Sequence, residues 1–189
     1  MKKLLTILCL VLLVSCSPPD VPSHRLVQNG GLTYEVGSND PYTGVSSTSN
    51  QDGQLERKKE YEKGIELSDT TFDYYDNGQL WSQENYKYGK REGLCEKFYE
   101  NGQLFDRENY KNGNKDGLSE TFYDNGQLYY KVNYKNGERD GLSETFYKNG
   151  QLSKTEEWKD GEYDGLWEYF DEDGNLTKTK EYKDGELIE

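Results

Sequence analysis

The sequence predicts an all-β fold: a repeat array of antiparallel β-hairpins with a 24-residue period, forming an elongated, twisted, single-layer meander. Three observations support this prediction. NGQL or a close variant recurs with its glycine at positions 78, 102, 126, 150 and 174. Runs of about eight residues, rich in Tyr, Phe, Thr and Leu, separate the glycine turns. Within the second run of a unit, apolar and polar side chains alternate with the period of a strand.

The chain opens with a segment that we assign as a leader, residues 1–15. Lys2 and Lys3 precede an apolar run at 4–14, which is too short for a membrane-spanning helix of about 20 residues. The run ends in LVSC, which resembles the bacterial lipobox. The resemblance implies that the chain is cut before Cys16, whose acyl chains then hold the protein on a membrane. The alternatives are a cleaved signal with an incidental cysteine and an uncleaved anchor.

Residues 16–27 are predicted to be the lipidated cysteine and a flexible tether, because residues 17–27 hold three of the four prolines. In enteric bacteria an Asp directly after the lipidated cysteine favours retention in the inner membrane. Ser17 at this position therefore favours the outer membrane or the cell surface, although the rule would not apply to a Gram-positive cell. We expect a bacterial cell-envelope lipoprotein.

Residues 28–189 are predicted to form the repeat domain, with turns near residues 30, 53, 78, 102, 126, 150 and 174. Asn-Gly is a strong hairpin signal because both residues tolerate positive φ, so NGQ is predicted to close one hairpin of each unit. The second connection, KNGNKDG or KDGEYDG, is expected to be longer. Seven turn signals imply about 12–14 strands and a sheet of roughly 55–65 Å, with rows of Leu, Phe and Tyr on one side and charges on the other.

The unit GLxExFYxNGQL, followed by YKNG, resembles the bacterial MORN-repeat variant family over about residues 28–189. GSNDPYTG at 37–44 also resembles the element that often opens such arrays. The resemblance implies a β-hairpin array and supplies no catalytic residues. Many members of the family carry an antitoxin label, as in the YwqK-like group, and others are surface or secreted proteins.

The composition disfavours several functional classes. The net charge of −13 disfavours nucleic acids and anionic lipid head groups as ligands, because both require clustered Lys and Arg. The only histidine, His24, lies in the predicted tether, and no set of residues for nucleophilic catalysis is present. We therefore expect no enzyme and no cofactor. Cys95 would be the only cysteine besides Cys16 in the mature chain, and we interpret it as a chance substitution because sister units carry Ser or Trp there.

A row of acidic residues raises the question of a metal site. The row precedes the Gly-Leu pairs and comprises Glu92, Asp116, Asp140 and Asp164. Stacked carboxylates can bind Ca²⁺. A turn residue that is repeated because its turn is repeated explains the same row, and we favour this interpretation and expect no metal.

A row of aromatic residues is the candidate binding surface. It comprises Tyr86, Tyr110, Tyr134, Trp158 and Tyr182. Exposed rings on a repeating hairpin could stack on sugars, in outline like glucan- and choline-binding cell-wall repeats. The alternative, which we favour, is that these rings form the core together with Phe98, Phe122, Phe146 and Phe170, because units with few aliphatic residues need aromatic burial.

The expected function is that of a non-catalytic, membrane-anchored lipoprotein whose repeat sheet binds or scaffolds a protein partner in the envelope or on the cell surface. Weak contacts repeated along the sheet would add through multivalency. The alternatives are a cell-wall or glycan-binding module and an antitoxin-like envelope immunity protein that neutralises a toxin. The expected contacts are the membrane, through lipidated Cys16, and a protein of unknown identity, with glycan as the alternative ligand and no nucleic acid.

Overall fold

A computed structural model describes residues 20–188 of the protein, and nearly all of this part is β-strand or turn. The strands are β1 (Asp20–Pro22), β2 (Leu26–Asn29), β3 (Leu32–Glu35), β4 (Gly44–Ser49), β5 (Leu55–Glu62), β6 (Ile65–Tyr74), β7 (Leu80–Lys87), β8 (Lys90–Arg91), β9 (Gly93–Phe98), β10 (Leu104–Lys111), β11 (Asn114–Phe122), β12 (Leu128–Lys135), β13 (Glu138–Phe146), β14 (Leu152–Lys159), β15 (Glu162–Phe170), β16 (Leu176–Lys183) and β17 (Glu186–Leu187). A 3₁₀ turn, Ser23–Arg25, separates β1 from β2. The predicted leader, residues 1–15, and Cys16 lie outside the described residues.

Most strands form one long open sheet, which confirms the predicted meander. Its order is β1-β4-β5-β6-β7-β9 and then β10 to β17 consecutively, with β8 paired to β7 at the side. All neighbours are antiparallel except β1 and β4, which are parallel. Fourteen strands in this path span about 62 Å at about 4.8 Å per interval. Each hairpin therefore contacts only its neighbours, as in other repeat arrays.

The N-terminal part of the fold differs from the prediction in two ways. Residues 20–27 were assigned to the tether, but β1 pairs with β4, so the described fold begins before residue 28. The turn near residue 30 joins β2 to β3, and these two strands form a separate two-stranded sheet rather than a unit of the meander. A small apolar cluster holds this end together: Val21, Tyr42 and Tyr61 are buried, and Leu26 packs against them. Leu26 of β2 joins the hairpin to this cluster.

The turns that contain NGQL are five-residue loops rather than Asn-Gly turns with two positive φ angles. In the loop 123–127 only Gly126 has a positive φ, 85°. Its N–H donates to the carbonyl of Tyr123 at 2.9 Å, and the N–H of Tyr123 donates to the carbonyl of Gln127 at 2.8 Å. Asn125 contributes its side chain, whose Oδ1 accepts a hydrogen bond from the N–H of Gln127 at 3.1 Å. NGQ closes a hairpin as predicted, but the stated reason was wrong, because the asparagine uses its side chain, not its backbone freedom, to form the turn.

The second connection, predicted to be longer, is the two-residue turn. Asn136 and Gly137 alone join β12 to β13, with φ of 52° and 97°. Two positive φ angles in a two-residue loop are typical of a type I′ hairpin turn, whose twist matches that of the strands. The same pair of positive φ angles recurs at Lys63-Gly64, Tyr88-Gly89, Asn112-Gly113, Asp160-Gly161 and Asp184-Gly185.

The two sides of the sheet both mix apolar and charged residues. Strand pairing and alternation place the tyrosines of the candidate row, with Trp158, on one side, which we call the tyrosine face. The leucines of the Gly-Leu pairs, such as Leu118, lie on the opposite side, which we call the leucine face. Phe122 also lies on the leucine face, where it pairs with Leu128. A register shift between Leu128 and Tyr130 therefore places these two residues of β12 on opposite faces. The predicted division into one apolar and one charged side is therefore wrong, because the shift interrupts the alternation along the strand.

Consecutive units are also joined at the edge formed by the NGQL loops. A tyrosine hydroxyl in each loop donates to a phenylalanine carbonyl 23 residues further along, at 2.7–2.8 Å. The pairs are Tyr75 with Phe98, Tyr99 with Phe122, Tyr123 with Phe146, and Tyr147 with Phe170. These hydrogen bonds explain why FY precedes the loop in most of the units.

Candidate binding faces

The strands that lead into the two-residue turns position the aromatic row. Each ring of the row is the penultimate residue of its strand, for example Tyr134 in β12. The last four rings lie directly across from the glycine of a Gly-Leu pair, as Tyr134 lies across from Gly117. A ring over a glycine covers backbone that has no side chain of its own. Tyr86 lies across from Asp69 instead, which is buried and forms an ion pair with Arg57.

Cations are interleaved with the rings along the row. The Arg91 guanidinium lies 5.3 Å from the centre of the Tyr110 ring. The Lys115 ammonium lies 5.1 Å from the Tyr134 ring. The Arg139 guanidinium lies 4.5 Å from the Trp158 ring. Cation–π attraction at these distances contributes about 0.5–1 kcal/mol at exposed sites and more where water is excluded.

Carboxylates next to the rings complete the electrostatics of the tyrosine face. Glu84 accepts hydrogen bonds from the hydroxyl of Tyr86 and from Arg91. Glu108 accepts a hydrogen bond from the hydroxyl of Tyr110 at 2.7 Å and forms an ion pair with Lys115.

The two carboxyl groups of β10 that share this face have opposite pKa shifts. Burial acts to raise the pKa of Glu108, but the hydrogen bonds from Lys115 and Tyr110 outweigh burial and hold it below its ordinary value. Burial, together with the neighbouring charge of Glu108, raises the pKa of Asp106. Burial and the hydrogen bond to Glu108 also raise the pKa of Tyr110.

The rings of the predicted binding surface are largely covered. Tyr110 and Trp158 are each 9% exposed, and Tyr86, Tyr134 and Tyr182 are half-buried. Neighbouring cations lie over four of the five rings, since Lys180 also lies 5.7 Å from the centre of the Tyr182 ring. The row therefore packs the tyrosine face of the sheet.

The last unit departs from this pattern. Tyr163 takes the place of the interleaved cation, across from Trp158. Trp167 takes the place of the small residue found at Cys95, Ser119 and Ser143. Tyr163 packs edge-on against Trp158 at 4.6 Å and against Trp167 at 4.4 Å, and Tyr182 completes a cluster of four rings.

The sequence reasoning missed an exposed row on the leucine face. The row comprises Leu94, Leu118, Leu142 and Leu166, which are 37–45% exposed. They lie on alternate strands, so neighbours are about 9.6 Å apart. The signal for the row was present in the repeated Gly-Leu pair, but the pattern does not reveal which face the leucine occupies.

The acidic row lies beside the two-residue turns. Glu92 accepts a hydrogen bond from the N–H of Asn112 at 2.7 Å, and Asp116 accepts one from Asn136 at 3.0 Å. In each case the acid holds the first residue of the next two-residue turn, 20 residues further along. This geometry supports the interpretation as turn residues. Among residues 20–188 no group of three or more His, Cys, Asp or Glu side chains is placed to hold a metal ion.

Cys95 is buried on the tyrosine face, and burial raises the pKa of its thiol. A thiol with a raised pKa carries little of the reactive thiolate at neutral pH. Within the described part of the chain no helix is long and apolar enough to cross a membrane.

Comparison with known proteins identifies the repeat. A sequence profile described as MORN repeat variant matches five consecutive segments, residues 70–88, 91–112, 115–136, 139–160 and 163–184. No curated protein matches the chain.

Solved structures similar to part of the chain include two of TarM. One is an S. aureus TarM mutant with fondaparinux, alpha-GlcNAc-glycerol and UDP, at 18% identity over 47% of this chain and 17% of that one. The other is TarM at 16% identity over 52% of this chain and 19% of that one. The TM-score is 0.31 for each, and this chain spans less than a fifth of the TarM chains.

Proposed function

The chain belongs to the MORN repeat variant family, and we propose on this basis that it is a non-catalytic, membrane-anchored lipoprotein whose repeat sheet binds or scaffolds a protein partner. Repeats of this kind suggest a binding or scaffolding role. The observation that carries the proposal is the exposed leucine row of the leucine face. The proposed location is the bacterial cell envelope, on the outer membrane or the cell surface.

The leucine row has the features of a protein-binding surface. Four large apolar side chains recur at the same position of four units and are about two-fifths exposed. An isolated exposed leucine needs no explanation, but a regular row of them indicates an interaction site. Identical contacts about 9.6 Å apart let weak interactions add, so that a partner touching several units binds more tightly than one touching a single unit.

A row of alternating charges lies beside the leucines on the same face. Glu96, Arg107, Glu120, Lys131 and Glu144 are neighbours on successive strands. Arg107 contacts Glu96 at 2.9 Å and Glu120 at 3.7 Å, and Lys131 contacts Glu144 at 2.5 Å. Apolar anchors beside a polar, charged rim are the usual composition of a protein–protein interface. The mixed signs favour a protein partner over a nucleic acid, which would require a continuous basic surface.

Anchoring rests on the N-terminal sequence. The positive start, the short apolar run and the LVSC ending support a lipidated Cys16. The first described residue, Asp20, lies only four positions after Cys16 and already belongs to β1. Little of the predicted tether remains, so the sheet would stand close to the membrane.

The alternative functions have less support. A glycan-binding module would need free ring faces, whereas most rings of the aromatic row are covered by cations and backbone. An antitoxin-like immunity role is a special case of protein binding and would use the same leucine face. Neither alternative requires catalysis.

The binding proposal is tested with the double variant Leu118→Glu/Leu142→Glu in cells that produce the full-length protein. Surface cross-linking of wild type should give a discrete larger species, and the double variant should lose it. Leu176→Glu is the control, since Leu176 is 53% exposed, more than the leucines of the row, but lies outside it. Equal cross-linking of all three proteins would overturn the assignment of the leucine face.

The location is tested by protease treatment of intact cells, with wild type compared with Cys16→Ala. Wild type should fractionate with membranes, and loss of its band while a periplasmic control survives would indicate surface display. A protected band would place the sheet in the periplasm. Membrane association of Cys16→Ala equal to that of wild type would contradict the lipoprotein proposal.

A further inference from the structure

The last unit contains an open cavity of about 260 Å³ at the edge of the two-residue turns. Tyr163, Trp158 and Glu162 line it, together with the turn residues Gly161 and Gly185. Tyr163 is 36% exposed, so part of its ring is accessible from the cavity. The volume is sufficient for a small organic group.

The equivalent positions in the preceding units show what this ring environment binds. The residue across from the ring is Arg91, Lys115 and Arg139 in three successive hairpins. Each of these cations lies over the ring of the next unit at 4.5–5.3 Å. The row therefore binds cations of the protein itself wherever a unit supplies one. In the last unit Tyr163 stands at this position, and none of the described Lys or Arg side chains lies over its ring.

Tyr163 is the ring of the cluster that offers accessible surface to the cavity. It packs edge to face against Trp158 at an interplanar angle of 66° and against Trp167 at 74°, and both tryptophans are buried. Arg139 lies on the other side of Trp158, in the preceding strand. A compact cation in the cavity would therefore contact the exposed part of the Tyr163 ring, with Trp158 behind it.

The residues in and beside the two-residue turns become more acidic toward the end of the chain. The residues flanking the turn glycine are Tyr88 and Lys90 early in the array, whereas they are Asp160 and Glu162 beside the cavity. Asp184 and Glu186 flank the neighbouring turn. Of the nearby lysines, Lys183 forms an ion pair with Asp164 at 2.9 Å, and Lys159 approaches the same carboxylate at 4.0 Å. Lys154 and Lys180 lie over the rings of Trp167 and Tyr182, which do not line the cavity. The electrostatic potential around the cavity therefore favours a positive ligand.

We propose that the cavity beside Tyr163 binds a small organic cation, an alkylammonium group of the quaternary ammonium class. The rings contact the methyl groups of the ligand and attract its charge, and Glu162 at the rim supplies the countercharge. This site lies on the tyrosine face and is independent of the leucine row. Binding is expected to be weak, in the millimolar range, because one small cation makes few contacts.

The test is a fluorescence titration of the full-length protein carrying Trp81→Phe, in which the remaining tryptophans, Trp158 and Trp167, both belong to the cluster. Choline chloride and tetramethylammonium chloride should change the tryptophan emission in a saturable way. Sodium chloride at the same ionic strength and 3,3-dimethylbutan-1-ol, the uncharged analogue of choline, should not. An equal response to the alcohol would show that charge is irrelevant and would overturn the proposal.

Two variants connect the response to the cavity. Tyr163→Arg restores the cation found in the sister units and should weaken choline binding at least tenfold while the fold is retained. Lys115→Arg, at the equivalent position of a distant unit, is the matched control and should bind as before. Glu162→Gln should weaken binding several-fold and provides the decision if Tyr163→Arg fails to fold. Unchanged affinity in both cavity variants, or a response to chitotetraose and none to choline, would overturn the proposal, the second outcome in favour of a sugar.

Discussion

Two glycines of the Gly-Leu pairs allow the cost of a methyl group to be separated from the cost of backbone strain. Gly141 and Gly165 occupy equivalent positions, with φ of +95° and +122°. A side chain at Gly141 would meet nothing within 4 Å. At Gly165 the added Cβ would lie 1.9 Å from Oε2 of Glu157 and 2.9 Å from its Cβ. Substitution to Ala therefore strains the backbone at both sites but crowds a neighbour at only one.

The expected costs follow from these contacts. Both variants force Ala into positive φ, which costs about 1–2 kcal/mol. Gly165→Ala must also displace Glu157, whose carboxylate can rotate away but whose Cβ is fixed to the strand. Overpacking of this kind costs about 1–3 kcal/mol more. We expect a loss of about 1–2 kcal/mol for Gly141→Ala and about 2–5 kcal/mol for Gly165→Ala.

Urea denaturation followed by circular dichroism measures the two free energies of unfolding. A Glu157→Gly background provides the control, because it removes both the carboxylate and the Cβ that crowd the new methyl group. In this background the cost of Gly165→Ala should fall to that of Gly141→Ala, and the double-mutant cycle cancels the cost of the background change. Equal costs for the two Ala variants in the wild-type background would refute the steric argument.

Four further predictions concern single side chains. Tyr123→Phe should lower the free energy of unfolding in the urea assay by about 1 kcal/mol, since it removes the hydrogen bond to the next unit. Tyr129 is exposed, so the control variant Tyr129→Phe should change the free energy of unfolding by less than about 0.5 kcal/mol. Cys95→Ser should leave stability nearly unchanged because sister units carry Ser at this position. The thiol of the native protein should resist iodoacetamide at pH 7 until the protein is unfolded. Rapid labelling of the native protein would contradict the burial of Cys95. Because the folded-state pKa of Asp106 is raised, its charge destabilises the fold above that pKa, so Asp106→Asn should stabilise the protein at pH 7 and have little effect below the unfolded-state pKa. Glu108 has a lowered folded-state pKa and contributes stability that is lost as pH falls through that value, so Glu108→Gln should destabilise the protein at pH 7 and less at low pH. Thermal unfolding between low pH and pH 7 measures the change in stability for both variants. A change of the same sign for Asp106→Asn and Glu108→Gln at pH 7 would contradict the opposite pKa shifts of the two carboxyl groups.

The sequence predicts the repeat and the hairpin array because both follow from period and alternation, which are visible without coordinates. It does not predict which Asn-Gly forms the two-residue turn, since the same dipeptide occurs in NGQL and in YKNG. The choice depends on whether the asparagine side chain or its backbone completes the turn, as the difference between Asn125 and Asn136 shows. The faces are mispredicted for a related reason. A register shift beside each NGQL loop reverses the alternation between Leu128 and Tyr130, and no residue type marks it.

The candidate site is harder to predict because the contacts that stabilise the array are polar. Each unit is joined to the next by a tyrosine hydroxyl at one edge and, in the central units, by a carboxylate such as Asp116 at the other. Between the edges, cations and rings pack the tyrosine face. A sequence scan for a hydrophobic core therefore assigns the leucines of the Gly-Leu pairs to the core, although they remain about two-fifths exposed.

The tyrosine face and the edges of the sheet supply the contacts between units described above, and this bears on the function of the leucine face. A chain with only 32% hydrophobic residues has few large aliphatic side chains, and burial of the exposed two-fifths of each leucine would add about 1 kcal/mol to its stability. Leu94, Leu118, Leu142 and Leu166 instead remain about two-fifths exposed, each in the same place of its unit. The hydrogen bonds at the edges and the cation–ring contacts join the units at positions outside this row. This regular, partly exposed apolar row is the surface that we propose a protein partner covers.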